Sequence, residues 1–209
     1  MPAYKLKYFN LRARAEVSRL LFAAAGVDYE DVRYESEQWQ TEKASGNYPF
    51  GQMPVLEVDG ETIAQSNSIA RYLALEFGMA GGSNLEKAKA DMVVDAIGDV
   101  TNALKEMWFQ KDEAKKTEIR DKCLKETIPT YFSALEKLLI SNNGGDGFFV
   151  GDKITWADLA FLAHSDYHAD QMKAAGTLEA FPKLKALRER LLEQPNIKKW
   201  VETRPKTDI

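Results

Sequence analysis

Several places in the sequence combine residue type and spacing in ways that could do chemistry. In FGQMPVLEVDG (50–60), residues 55–58 have the pattern of a strand, and Asp59-Gly60 is a hairpin turn dipeptide. Yet the strand is entered through Pro54, which cannot donate a ladder hydrogen bond. A proline there leaves backbone that an extended ligand can pair with. Ser66 directly precedes a helix expected from Asn67, so its hydroxyl and backbone N–H would favour a carboxylate, and the same hydroxyl could cap the helix. YKLKYF (4–9) puts Tyr4 and Tyr8 on one strand face; either phenol could donate to an anion, and the pattern does not choose between them. His164 and His168 are four apart on one helical face, a metal-compatible spacing, but no third strong ligand lies nearby. No metal is expected, and the plainer reading is a cleft-facing or capping pair.

Other chemistries are disfavoured. Cys123 is the single cysteine and lies in a helical pattern, so the chain has no internal disulfide, no multi-cysteine metal site and no Cys-x-x-Cys redox motif. It reads as a structural thiol. A net charge of -4, with basic residues interleaved among acids as in KDEAKK, argues against a nucleic-acid partner. No apolar run approaches the roughly 20 residues that span a bilayer, and MPAYKLKYF lacks the apolar core of a secretory leader. Small-molecule partners and a reducing, cytoplasmic setting are expected.

The elements that must position these residues come in two sets. Strand alternation at 4–9 is followed by a helical period with Val17, Leu20, Leu21 and Ala24 and a stop at Gly26. Alternation returns at 29–34, and a polar loop is expected over 35–53. The strand from Val55, a short strand through Thr62–Ala64 and a helix over 67–78 close a βαβ–ββα unit. Glycines in GMAGGSN (78–84) mark a boundary. Beyond it everything reads helical: 85–111, then 117–141 kinked or restarted at Pro129, then a segment opened by Thr155 and Asp158 in a capping-box arrangement, then 182–193 and 195–203, each begun by proline. The expected domains are 1–79, a small α/β domain, and 84–209, an all-α domain.

The stretches YKLKYFNLRARAEVSRLLFA, EQW, PFGQMPVLEVDG, QSNSIARYLA, GDKITWADL and LKALRERLLEQPNIKKWVETRP occur in order over essentially the whole chain. Together they resemble the sigma class of cytosolic glutathione S-transferases. That class includes haematopoietic prostaglandin D synthases, invertebrate detoxification enzymes and the ancestors of cephalopod lens crystallins. The resemblance implies a thioredoxin-like N-terminal domain and glutathione as co-substrate. Pro54 would be cis, with the backbone of Met53 pairing with the cysteinyl part of glutathione. Tyr8, not Tyr4, would donate a hydrogen bond to the thiolate, and Arg14 would reinforce the field. Gln65 and Ser66 would hold the γ-glutamyl end. Trp39, Lys43 and Gln52 would hold the glycine end, with Gln52 standing where relatives commonly have lysine and ASGNYPFG running two residues longer. Asp99 would reach the partner subunit's site in a homodimer. Gly98 lies between Asp95 and Asp99 where an interfacial metal would need an acid, so none is expected.

The same resemblance makes Phe9, Leu11, Thr101, Trp108 and His164 candidates for the second-substrate pocket, with Trp108 and Phe109 equally readable as core. The expected activity is conjugation of glutathione to xenobiotic or lipid-derived electrophiles. Two alternatives stand. One is isomerisation of prostaglandin H2 to D2, against which Ala160 replaces a pocket tyrosine of the vertebrate synthases. The other is a catalytically silent crystallin-like protein, against which the chain lacks a long insertion in the helical domain.

Overall fold

The computed structural model describes residues 2–172 and 176–207, with the backbone alone over 169–172. The chain divides into two compact units, Met1–Gly78 with Glu193–Ile209, and Met79–Leu192.

The first unit is built on a four-stranded sheet of order β2-β1-β3-β4, from β1 (Tyr4–Phe9), β2 (Glu30–Tyr34), β3 (Val55–Val58) and β4 (Glu61–Ala64). β1 pairs parallel with β2 and antiparallel with β3, opposing Tyr8 to Arg33 and Leu6 to Leu56. Its alternation buries Tyr4, Leu6 and Tyr8 on one face. α1 (Glu16–Ala25) follows a short 3-10 turn and ends at Gly26, whose φ of 65° is left-handed backbone that glycine adopts without a Cβ clash. Leu6, Leu20, Leu21, Phe22, Leu56, Ile69 and Leu73 make the core.

Three local expectations need correction. The loop expected over 35–53 contains a helix, α2 (Ser36–Lys43). It has no apolar stripe, burying only Trp39, and starts instead on a cap, with the Glu35 backbone N–H donating to Gln38 Oε1 at 2.9 Å. Ser66 is not a cap. It is the first residue of α3 (Ser66–Glu76), and the cap position belongs to Gln65. Finally, α9 (Pro195–Thr203) packs on α1, so the chain's end joins the first unit and not the helical one expected over 84–209.

The second unit holds α4 (Asn84–Phe109), α5 (Glu113–Lys122), α6 (Ile128–Ser141), α7 (Trp156–Met172) and α8 (Pro182–Leu192). The segment read as one helix from 117 is α5, then a π-helical stretch over Cys123–Thr127, then α6 with Pro129 in its first turn. A proline is tolerated there because first-turn N–H groups have no helical acceptor. Before α7, Asp158 Oδ2 accepts from the Thr155 backbone N–H and hydroxyl, both at 2.8 Å, and Oδ1 from the Phe149 N–H at 2.8 Å. The capping arrangement is therefore present, with Asp158 reaching back from the helix. Phe109 is 76% exposed and is not core.

Candidate active site

Tyr8 ends the buried face of β1, and the loop after it turns at Asn10–Leu11 into the residues carrying Arg14. Burial raises the phenol's pKa, while the Arg14 backbone and the charges of Arg14 and Arg19 pull the other way. Tyr8 is thus a protonated hydroxyl facing positive charge, the state required of a donor to an anion. Tyr4, on the same face, is raised too, but burial is followed by Tyr72, Glu76 and Asp59 as causes. Its ring packs edge-on against Phe22 at 5.3 Å and Phe77 at 5.9 Å. An anion beside Tyr8 would meet arginine; beside Tyr4 it would meet acids.

A shallow pocket, open to solvent, gathers Arg14, Gln52, Met53, Pro54, Gln65 and Ser66, with Phe50 and Ala64 completing its lining. The Met53–Pro54 peptide is cis, as the resemblance implied. Gln65 has φ 73° and ψ 118°, a costly conformation for a residue with a Cβ. It stands at the N-terminus of α3, where free N–H groups and the dipole favour an anion. Arg14 both lines the pocket and acts on Tyr8.

Trp39 and Lys43 come from α2. Trp39 is buried, edge-on to Tyr48 at 4.8 Å and to Phe9 at 6.0 Å, so Phe9 is engaged in packing. Lys43 is exposed, and its Cε would lie 3.6 Å from a Cβ added at Gly51, which brings it to the segment that carries Gln52. Leu11 is half-buried, and its carbonyl is taken by Arg19. In the second unit, Asp99 is exposed and its Oδ2 accepts from the Tyr131 hydroxyl at 3.3 Å.

The second-unit pocket candidates form a network of their own. Thr101 Oγ1 donates to the Ile97 carbonyl at 3.1 Å and meets His164 Nδ1 at 3.2 Å and His168 Nε2 at 3.4 Å. The one hydroxyl thus links both imidazoles to the Ile97 carbonyl. Burial lowers His164 to about 4, and burial with the neighbouring His164 lowers His168 to about 3. Trp108 is half-buried, with its ring 5.6 Å from Tyr167. Among the described residues no group of three or more His, Cys, Asp or Glu could hold a metal ion. The sequence reading missed Arg19 and Phe50. Arg19 left a signal, a charged residue inside the apolar helical run VSRLLF; Phe50 left none.

The glutathione S-transferase N-terminal domain family matches residues 4–75, and the glutathione S-transferase C-terminal domain family matches residues 98–204. The chain belongs to the glutathione S-transferase family. It is 42% identical to the hematopoietic prostaglandin D synthase of Gallus gallus over 100% of both chains. It is 39% identical to S-crystallin SL11 of Nototodarus sloanii over 99% of both. The crystal structure of a nematode-specific transferase of Caenorhabditis elegans superposes with a TM-score of 0.90 at 39% identity, covering 100% of both chains. These relatives make it a sigma-class-like transferase. The crystallin's full-length match also removes the argument from chain length, since that relative has no long insertion relative to this chain.

Proposed function

We propose that this transferase conjugates reduced glutathione to electrophilic small molecules, xenobiotic or lipid-derived, in the cytosol. The observation that carries the reading is Arg14, which lines the pocket with Gln52, Met53, Pro54, Gln65 and Ser66 and also acts on the protonated hydroxyl of Tyr8. A thiol of pKa about 8.5 is only a few per cent thiolate at neutral pH. Lowering it by two units takes about 2.7 kcal/mol of differential stabilisation. One hydrogen bond to a charged acceptor supplies roughly 1.5–3 kcal/mol. Tyr8 donates that bond and keeps its own proton, the thiol proton leaves to solvent, and the thiolate attacks the electrophilic carbon; halide departs with the bonding pair in substitution, or the displaced π pair takes a proton from solvent in addition.

Gln65 and Ser66 hold the γ-glutamyl carboxylate at the start of α3. The Met53 backbone pairs with the cysteinyl unit, and Lys43, Trp39 and Gln52 take the glycine end. Asp99 completes the site of a partner subunit in a homodimer. No metal is required. Phe9, Leu11, Thr101, Trp108 and His164 are assigned to the electrophile. Prostaglandin isomerisation is the second reading, favoured by the identity to the avian synthase and disfavoured by Ala160 and His164 in its pocket positions.

The test is conjugation to a generic aromatic halide across pH 6 to 9, wild type against Tyr8→Phe. Loss of rate with an upward move of the pH midpoint is expected. Equal profiles would reduce Tyr8 to a packed aromatic, and absence of turnover in both would favour the crystallin-like state. A D-series product from the endoperoxide, above background, would establish the isomerase.

A further inference from the structure

Behind the loop joining Tyr8 to Arg14, the first unit buries a charge network that none of the proposed glutathione contacts uses. Arg19 is fully enclosed, at 0% side-chain exposure. Its Nη1 donates to the Leu11 carbonyl at 2.6 Å, its Nε donates to Asp31 Oδ1 at 3.2 Å, and Nη1 lies 3.5 Å from Glu16 Oε2. Asp31 is shared with Arg33, whose Nε donates to Oδ2 at 2.8 Å and whose Nη1 donates to Asn10 Oδ1 at 3.3 Å. Two arginines therefore hold the Asn10–Leu11 turn. Glu16, 2% exposed, is claimed from the far end of the chain: its Oε1 accepts from Trp200 Nε1 at 2.9 Å and Arg204 Nη1 at 2.8 Å.

Among the ion-paired groups, Arg19, Arg33 and Arg204 against Glu16 and Asp31 make three cations to two anions, an excess of one positive charge; the exposed Glu35 accepts from Asn10 Nδ2 at 3.3 Å and is screened by solvent. Buried charge is costly unless matched, and guanidinium does not relieve the cost by losing its proton. Two further ion pairs of β1, Lys5 with Glu30 and Lys7 with Glu57, lie on the strand's other face, and each is neutral overall.

We propose that this network is the electrostatic backing of the thiolate site: Glu16, Arg19 and Arg204 are positioning residues that hold the Tyr8–Arg14 loop and favour thiolate over thiol, with the C-terminal Arg204 setting how much of Glu16's negative charge is cancelled. This rests on the reading of Tyr8 as the thiolate's donor. It joins residues 188 positions apart in sequence into one control on acidity. A single cation, Arg14, is therefore not the whole of the field at Tyr8.

The experiment titrates the ultraviolet thiolate absorbance of bound glutathione, alongside the pH dependence of kcat/KM for conjugation. Glu16→Gln removes a carboxylate while keeping its shape and moves the midpoint down by about half a pH unit or more; Arg204→Gln removes a cation and moves it up by a comparable amount. Arg204→Lys keeps the charge and stays at the wild-type midpoint. Lower activity in both glutamine variants with unmoved midpoints would mean a merely structural network and overturns the proposal, as would shifts of one sign. Should Glu16→Gln not fold, the sign of the Arg204→Gln shift decides alone. Tyr8→Phe in the same assay separates the two ideas. If it moves the midpoint and the network variants do not, this inference falls alone; if Tyr8→Phe leaves the midpoint unchanged, both fall.

Discussion

Each unit holds a polar cluster, fully buried around Arg19 in the first and half-buried around Thr101 and His164 in the second, and the two treat charge in opposite ways. In the first, Arg19 is fully buried with the carboxylates of Glu16 and Asp31 against it. In the second, His164 and His168 share one hydroxyl and are held neutral by desolvation, at about 4 and about 3. Guanidinium has no affordable neutral form, so the fold must supply counter-ions; imidazole gives up its proton and needs only hydrogen-bond partners. The charged cluster can therefore act at a distance on an anion near Tyr8. The neutral one can shape a surface but projects no field at neutral pH.

The largest expected effect breaks the charged side. Tyr8→Phe lowers kcat/KM for conjugation roughly 100-fold, the scale of one lost donor to a developing or resident anion. Steady-state rates at saturating electrophile check it, and a loss under threefold would contradict the assignment. The neutral side is broken by acid. Because both folded imidazoles have depressed pKa values, the unfolded chain takes up protons first as pH falls below about 6.5, and stability is lost down to about 4 for His164 and about 3 for His168. Urea unfolding at pH 7 and pH 5 should differ by roughly 2 kcal/mol for each imidazole, about 4 kcal/mol from the pair, and a His164→Asn/His168→Asn protein should lose that difference. An unchanged difference in the double variant would place the acid sensitivity elsewhere.

Two smaller effects sharpen the comparison. Lys43→Ala should raise KM for glutathione several-fold with kcat and pH midpoint unmoved, because an exposed cation contributes about 1 kcal/mol of uniform binding. A midpoint shift would make Lys43 part of the field at the thiol. Tyr4→Phe should leave the pH profile unchanged and cost less than about 1 kcal/mol of stability, since its hydroxyl faces Tyr72 and acids and not the arginines. If Tyr4→Phe also moved the profile, the difference between the two ends of β1 would lose its meaning.

Much of this was legible in the residues themselves. Alternation placed β1 and β2, the Asp59-Gly60 dipeptide placed the β3–β4 hairpin, and prolines marked the starts of α6, α8 and α9. These are local signals with a fixed period or a fixed backbone preference. α2 escaped because its stability comes from a cap and one buried tryptophan, not from an apolar stripe that periodicity could detect. Ser66 was misplaced by one position because capping depends on backbone angles, and Gln65 at φ 73° carries the unusual conformation.

The sequence by itself determined the strands, most of the helices, their order, the family and the short segments that line the pocket, since each of those is written in neighbouring residues. Only the tertiary structure distinguished the surroundings of Tyr4 and Tyr8, setting acids near one and Arg14 and Arg19 near the other. It alone drew Trp200 and Arg204 onto Glu16, and Thr101 onto two imidazoles. Electrostatic surroundings depend on which distant side chains share a low-dielectric interior, and no local pattern encodes that proximity.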